Sequence, residues 1–526
     1  MGILLNPSNI DFQKAVNSEI YVDKTELIKH TNKVINTAQQ YICVSRPRRF
    51  GKSMAANMLT AYYSKGCDSR ELFSPYKISE SDSFEEHINK YNVIHINMVE
   101  FLTDNDSIKD MLNELKRAVL FDIFNEFPDV NYYDKTKLVR SLKDVFATNN
   151  IPFIFIIDEW DCIFRKSSIR SEEYTAYLDF LRTLLKDQSY VALAYMTGIL
   201  PIKKYGEHSA INMFTEISMI NARPISEFTG FTEEEVKNIC VKYGRDYEET
   251  KRWYDGYCLD GISIYNPKSV VESVLRGSFG NYWTSTETYE ALKEHIMRNF
   301  DSLKDKVTLM IAGEKVGVNT AKFQNDMTSL NSADDVLTLL VHLGYLTFRA
   351  ISETGIGEVW IPNSEVRQEF VNSVEDGGWE NLMKAIRASD KLLEATLNGE
   401  SDTVAELIEQ CHSENTSLLK YNDENSLACV ISLAYYTAQS KYIVHRELAT
   451  GKGFADLVFI PRKNVELPAI VVELKYNRSS GAAIEQIKSK NYTEKLSQYT
   501  GEILLVGINY DDKKGHSCSI EKIIKD

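Results

Sequence analysis

The chain predicts an α/β protein. It should hold a doubly wound parallel sheet in residues 1–225, helical and winged-helix-like regions in the middle, and a second, smaller α/β domain in residues 421–526. Three stretches carry this expectation. Tyr41-Ile42-Cys43-Val44-Ser45 is a short apolar strand that turns directly into an apolar helix. Residues 151–157 form a continuous apolar run closed by Asp158-Glu159, and the shorter run 469–472 leads into Glu473-Leu474-Lys475. Such runs suit strands buried on both faces, and strands alternating with helical pattern imply a parallel sheet with ligand at the strand carboxyl ends.

The turn after the first strand is Arg46-Pro47-Arg48-Arg49-Phe50-Gly51-Lys52-Ser53. The pattern G-x-x-x-x-G-K-[ST] describes a phosphate-binding loop, the P-loop, and Arg46 stands at its first glycine. In this reading Arg48, Arg49, Phe50 and Gly51 belong to the loop that wraps nucleotide phosphates, Lys52 reaches the β/γ oxygens and Ser53 ligates Mg²⁺. At the end of the apolar run 151–157, Asp158 is expected to help hold Mg²⁺ and Glu159 to polarise the attacking water. A strand end can also carry a plain solvated carboxylate. The order of the two signals, with helical pattern between them, favours a P-loop ATPase domain.

The remaining elements follow in order. Residues 26–37 are amphipathic, and 93–98 read as a second buried strand. Residues 107–127 and 135–148 are helical, and 190–196 form a strand that ends at Thr197-Gly198. Beyond Glu227 the pattern turns helical, with Thr232 as N-cap and Glu233, Glu234 and Glu235 in the first turn, so residues 226–288 are expected to form a helical lid. Residues 289–372 hold an amphipathic helix followed by a hairpin, like a winged helix, a fold that binds DNA in some proteins and is structural in others. Residues 373–420 read as a polar helical connector. There is no internal repeat or low-complexity tract.

At the C-terminus a helix over 425–438 is followed by a hairpin over 442–460 and the strand bearing Glu473-Leu474-Lys475. Helix, hairpin, strand and Glu-x-Lys together describe a restriction-endonuclease-like, PD-(D/E)xK core. Asp456 and Glu473, on neighbouring strands, can share a Mg²⁺ or Mn²⁺, hard cations that take carboxylate oxygens. Lys475 leaves the strand on the same face as Glu473 and can orient or deprotonate the hydrolytic water. Glu-x-Lys alone is common on exposed strands; Asp456, seventeen positions upstream after Gly453, makes it specific. Glu424, at the head of the preceding helix, is the candidate extra metal-binding acid, and Glu447 competes with it.

At 526 residues the chain should divide into three or four domains. Net charge is −15, but residues 441–526 carry 14 Lys and Arg against 11 Asp and Glu, a balance of +3 that leaves −18 for the rest. That surplus is weak for a surface that tracks phosphates. No apolar stretch approaches the ~20 residues that span a bilayer, and the first residues lack the features of a signal peptide, so a cytoplasmic protein with no membrane partner is expected. The eight cysteines are dispersed, form no Cys-x-x-Cys pair, and suggest neither a zinc site nor a disulfide framework.

Several motifs resemble those of bacterial AAA-ATPase-like proteins that carry a PD-(D/E)xK nuclease-like domain at the C-terminus. They are Tyr21-Val22-Asp23-Lys24-Thr25, the loop from Ser45 to Ser53, Ile157-Asp158-Glu159-Trp160-Asp161, Thr197-Gly198-Ile199, Phe228-Thr229-Gly230-Phe231-Thr232 and Trp253-Tyr254-Asp255-Gly256-Tyr257. The resemblance spans almost the whole chain. In such relatives Arg at the position of Arg46 is usual, and Trp160 stands where Tyr is commoner. The resemblance implies ATP with Mg²⁺ as the nucleotide ligand. It places Thr197 where a polar sensor of the γ-phosphate sits, although Thr-Gly is equally a plain strand exit. It also implies that Gln486 and Lys490 face the nuclease site, with Gln486 in the catalytic set. DNA or RNA is the implied partner, and a homo-oligomer, with an arginine such as Arg223 acting on a neighbour's nucleotide, is left open. Two functions compete: a nucleotide-gated, metal-dependent nuclease in defence against foreign nucleic acid, and an ATP-dependent switch or scaffold whose nuclease fold only binds.

Overall fold

Five strands, β1 (Tyr41–Ser45), β2 (Asn92–Asn97), β3 (Phe153–Asp158), β4 (Val191–Gly198) and β5 (Thr215–Ile217), pair in the order β2-β3-β4-β1-β5. They belong to a computed structural model that describes residues 2–165, 169, 171–202, 211–283, 290–298, 300–324, 330–415, 424–450, 453–463, 465–489 and 501–525. Every pairing in this sheet is parallel. Parallel pairing needs a crossover of many residues between strands, and the helices in those crossovers cover both faces.

Alternate residues of each strand enter two different cores. Tyr41, Cys43, Phe155, Ile157 and Met196 pack with Met111, Leu115 and Val119 on one side. Ile42, Val44, Ile154, Ile156 and Tyr195 pack with Leu27, Ala56 and Leu59 on the other. The helix Ile108–Glu126 begins where Ser107 accepts a hydrogen bond from the Asp110 N–H, which satisfies one of the free donors of its first turn. Pro152 has no N–H to give a ladder, and β3 starts just after it.

After this sheet come the helices Glu233–Tyr243, Tyr247–Tyr254 and Pro267–Arg276, with a small antiparallel sheet of β6 (Phe231–Thr232), β7 (Tyr257–Leu259) and β8 (Ile262–Tyr265). Thr232 caps the first of these helices in a complete capping box with Glu235. Further on, β9 (Val316–Asn319), the helix Ala333–Leu343 and the hairpin of β10 (Thr347–Ala350) and β11 (Ile356–Trp360) give a winged-helix-like sheet of order β10-β11-β9. The chain forms two compact units: Met1–Thr288 with Gly317–Val366, and Tyr289–Val316 with Arg367–Asp526.

The second unit is built on a mixed sheet of β12 (Tyr442–Thr450), β13 (Gly453–Pro461), β14 (Ala469–Tyr476), β15 (Gly501–Asp511) and β16 (Gly515–Lys525), paired in sequence order. Only the β14–β15 pairing is parallel; the others are antiparallel. The helix Ser480–Ser489 follows β14 and packs Ile484 and Ile487 against Val458, Val471 and Leu505. On the opposite face Phe459 meets Tyr435, ring centroids 5.3 Å apart, just after the helix Glu424–Ala434. Among the described residues no helix is long and apolar enough to cross a membrane.

Candidate nucleotide and nuclease sites

Between β1 and the helix Lys52–Tyr63 the loop turns twice through left-handed backbone, at Arg49 (φ 68°) and Gly51 (φ 85°). Alternation of this kind turns successive N–H groups into a concave, anion-binding nest. No side chain caps the helix, so its first amides face the loop's hollow with their donors available. Lys52 is buried, its Nζ donates to the Pro47 carbonyl at 3.0 Å and stands 4.0 Å from Glu159 Oε1. Burial pushes this ammonium below the ordinary lysine range while Glu159, Asp161 and Asp158 pull it back. Arg48, Arg49 and Ser53 are exposed, and Phe50 is buried against Tyr257, edge to face at 5.0 Å. The loop opens on a cleft of about 550 Å³ that extends past Tyr21, Val22, Met58, Phe228 and Val271. Its size and its mix of one cationic, amide-rich end with one apolar end suit a phosphorylated, flat-ringed ligand.

Arg46 answers for the missing glycine. It is fully buried and points away from the hollow: Nε donates to Thr229 Oγ1 at 3.0 Å, and Nη1 donates to the carbonyls of Ser45 and Ile217 at 3.0 and 3.2 Å. Burial pushes its guanidinium down to about 10. It is a strut that joins β1, β5 and the entry to the lid. Arg46→Ala leaves three buried acceptors unpaired and a large void, and should cost about 3 kcal/mol or more in a urea melt. A melt that matches wild type would remove the strut from this account.

At the strand ends opposite the loop, Thr197 Oγ1 donates to Asp158 Oδ1, and the Glu159 N–H donates to the same oxygen at 3.1 Å. Because β4 lies between β1 and β3, Thr197 at its end is placed next to both the loop and the acidic pair. Glu159 has left-handed backbone (φ 54°), a conformation that costs a non-glycine residue free energy and that is over-represented at functional sites. Arg165, which the sequence reading passed over, pairs with Glu159 Oε2 and stands 3.6 Å from Asp161 Oδ2. Asp161 is fully buried and accepts the N–H groups of Ile199 and Leu200 at 3.1 and 2.8 Å, shaping the exit from β4. A basic residue four to six positions after an acidic strand end was the available signal for Arg165. Lys24 donates to both Glu235 oxygens, at 2.7 and 2.6 Å, and to the Glu227 carbonyl at 2.7 Å, tying the leading segment to the lid.

In the second unit the strand register brings the predicted nuclease residues together. One step beyond the pair Leu457–Val472, Asp456 comes opposite Glu473, so their side chains share a face. Asp456 Oδ2 accepts the Leu474 N–H at 2.7 Å. Glu473 is 1% exposed and Lys475 6%; Lys475 Nζ donates to Glu473 Oε1 at 2.9 Å and to the Leu474 carbonyl at 2.8 Å. The same face carries Val471, against which Ile484 and Ile487 pack, and this fixes the helix that sends Gln486 Nε2 to Glu473 Oε1. Two carboxylates beside a lysine form a donor set suited to a hard divalent cation with an adjacent water. The backbone places Glu424 first in its helix and Glu447 in β12; the side chains of both, and all of Lys490, lie outside the described residues.

Gly507 of β15 pairs with Glu473 across the sheet, and a Cβ there would stand 2.3 Å from the Ser480 carbonyl. The helix bearing Gln486 can approach the strand only over a glycine. Gly507→Ala should therefore push that helix outward and cost about 1–3 kcal/mol, read as a lowered melting temperature. An unchanged melt would show that the approach is looser than this.

The fold and the two side-chain clusters define a P-loop ATPase-like protein with a nuclease fold attached. Comparison gives the families: residues 10–206 match the predicted AAA-ATPase family, and residues 422–520 match the PD-(D/E)xK nuclease superfamily. A similar protein, described as an uncharacterised protein in the vnfD 5′ region of Azotobacter chroococcum, is 24% identical over 513 residues, covering 93% of this chain and 92% of its own. Among solved structures, the Walker-type ATPase PABY2304 of Pyrococcus abyssi is 14% identical, covers 66% of this chain and 94% of its own, and has a TM-score of 0.34. The Aeropyrum pernix ORC1 protein in complex with DNA is 10% identical, covers 71% of this chain and 97% of its own, and has a TM-score of 0.25.

Proposed function

We propose that the chain binds and hydrolyses ATP in residues 1–225 and cleaves DNA or RNA with Mg²⁺ or Mn²⁺ in residues 421–526, nucleotide occupancy governing cleavage. Two convergences carry the reading: Asp456, Glu473, Lys475 and Gln486 meet within the second unit, and Lys52, Asp158, Glu159 and Thr197 meet around one cleft within the first. In the cleft Lys52 exchanges the Pro47 carbonyl for β/γ-phosphate oxygens, while Gly51, Arg48, Arg49 and the Phe50 backbone surround the phosphates. Ser53 and Asp158 hold Mg²⁺, Thr197 reports on the γ-phosphate through Asp158, and Glu159 orients water once Arg165 releases it. Residues 226–288 act as the lid, 289–372 as the winged-helix-like part and 373–420 as the connector.

In the nuclease site Asp456 and Glu473, with Glu424 or Glu447 beside them, hold the metal, and Lys475 holds the hydrolytic water. Gln486 fixes Glu473 and is a positioning residue. The bound cation supplies charge neutralisation on the scissile phosphate. The setting we favour is cytoplasmic defence against foreign nucleic acid, with a homo-oligomer as the working form. A scaffold that only binds nucleic acid or a partner is the second reading, supported by the small +3 balance of residues 441–526. Purified full-length protein with Mg²⁺ or Mn²⁺, with and without ATP, incubated with single- and double-stranded DNA and RNA, separates the two. Cleavage of any substrate supports the nuclease; none, under either metal, leaves the scaffold.

A further inference from the structure

Away from both sites, Glu409, His412 and His516 meet in the second unit. Glu409 and His412 are three positions apart on the helix Ser401–Asn415 and so share a face. His516 comes from the start of β16, just after the turn that joins it to β15. Glu409 Oε2 accepts the His516 backbone N–H at 3.0 Å and lies 2.6 Å from His516 Nδ1. The two imidazoles are 5.3 Å apart, nearly perpendicular, with Tyr510 edge-on to His412 at 5.2 Å. One ligand atom from each of the three residues falls within 4.8 Å of the other two.

We propose that Glu409, His412 and His516 bind a Zn²⁺-like divalent transition-metal ion that fastens the connector helix to the terminal hairpin of the nuclease-like domain. Two imidazoles and a carboxylate suit zinc and its neighbours, whereas Mg²⁺ and Ca²⁺ take oxygen ligands, so this site and the Asp456–Glu473 site select different ions. Bonds of about 2.0–2.1 Å in a tetrahedron set neighbouring ligand atoms ~3.3 Å apart, so the set must contract by ~1.5 Å at most. The residue able to move is Glu409, whose side chain is 47% exposed, while the His516 side chain is fully buried and His412 is 5% exposed. Glu409 Oε2 and His516 Nδ1, now 2.6 Å apart, would open by ~0.7 Å to seat the ion between them.

The test is zinc binding to metal-stripped full-length protein, by competition with a chromophoric chelator and by thermal melting. To separate the site from the nuclease centre, the measurement is repeated in Asp456→Asn. One Zn²⁺ per chain is expected in both proteins, with a raised melting temperature. His412→Gln and Glu409→Gln should weaken zinc binding by about 10–100-fold or more and remove the zinc-induced rise. Glu409 is half exposed, so Glu409→Gln should melt like wild type in chelator and report on the metal alone. No zinc in wild type, loss of zinc in Asp456→Asn, or unchanged affinity in both Glu409→Gln and His412→Gln would overturn the site.

Discussion

Lys52→Ala is expected to bind ATP roughly thirty- to a few thousandfold more weakly and to show no turnover. A buried cation that contacts phosphate directly is worth about 2–5 kcal/mol, because its removal leaves negative charge in a site poor in water. Lys52 contacts the Pro47 carbonyl and Glu159, and Arg165 holds Glu159 independently. The loop should therefore keep its shape in the variant, and the loss should be one of affinity and not of folding. Glu159→Gln is the complement: ATP stays bound while hydrolysis slows by about 10²–10⁴, the usual contribution of a positioned base. Titration of a fluorescent nucleotide, paired with phosphate release, reads both. Wild-type affinity in Lys52→Ala would mean the loop is not the site, and wild-type turnover in Asp158→Asn would remove its Mg²⁺ role.

Asp456→Ala and Glu473→Ala should abolish metal-dependent cleavage, and Lys475→Ala should slow it by about 10²–10⁴ while metal still binds. ATPase activity should survive all three. Glu473 and Lys475 also form a buried ion pair, so either single change strands the other charge and should cost about 3–5 kcal/mol. Replacing both at once, Glu473→Leu with Lys475→Met, should restore stability to wild-type level or above while leaving the protein without nuclease activity. A double variant less stable than both singles would show that the pair contributes stability of its own. Cleavage at saturating ATP that is equal in wild type and Lys52→Ala would end the gating reading and leave the nuclease reading standing.

What could be read in advance was what is written in consecutive residues. The loop from Arg46 to Ser53, the run ending in Asp158-Glu159 and the Glu473-x-Lys475 strand each carry their chemistry within a few positions, and their backbone periods announce helix or strand. The capping of the helix at Thr232 was legible for the same reason. Arg46 was not, because a glycine position filled by arginine makes sense only once Thr229 and the Ile217 carbonyl are beside it. Arg165 likewise has meaning only through the turn that folds it onto Glu159. β15 and β16 were not anticipated, and with them went His516, which lies more than a hundred residues from Glu409 and forms no motif with it.

The two compact units are threaded through each other along the chain, since Tyr289–Val316 belongs with Arg367–Asp526 while Gly317–Val366 belongs with the first part. A protease that cuts once near residue 366 would leave the first unit in one fragment that still carries Tyr289–Val316 of the second, and would divide the second unit between two fragments. A fragment limited to the nuclease motif would also lack the helix whose Glu409 accepts from His516. Transplanting the nuclease-like fold onto another carrier is thus not a matter of one splice: the donor part is two separate stretches, and an intact graft would require both.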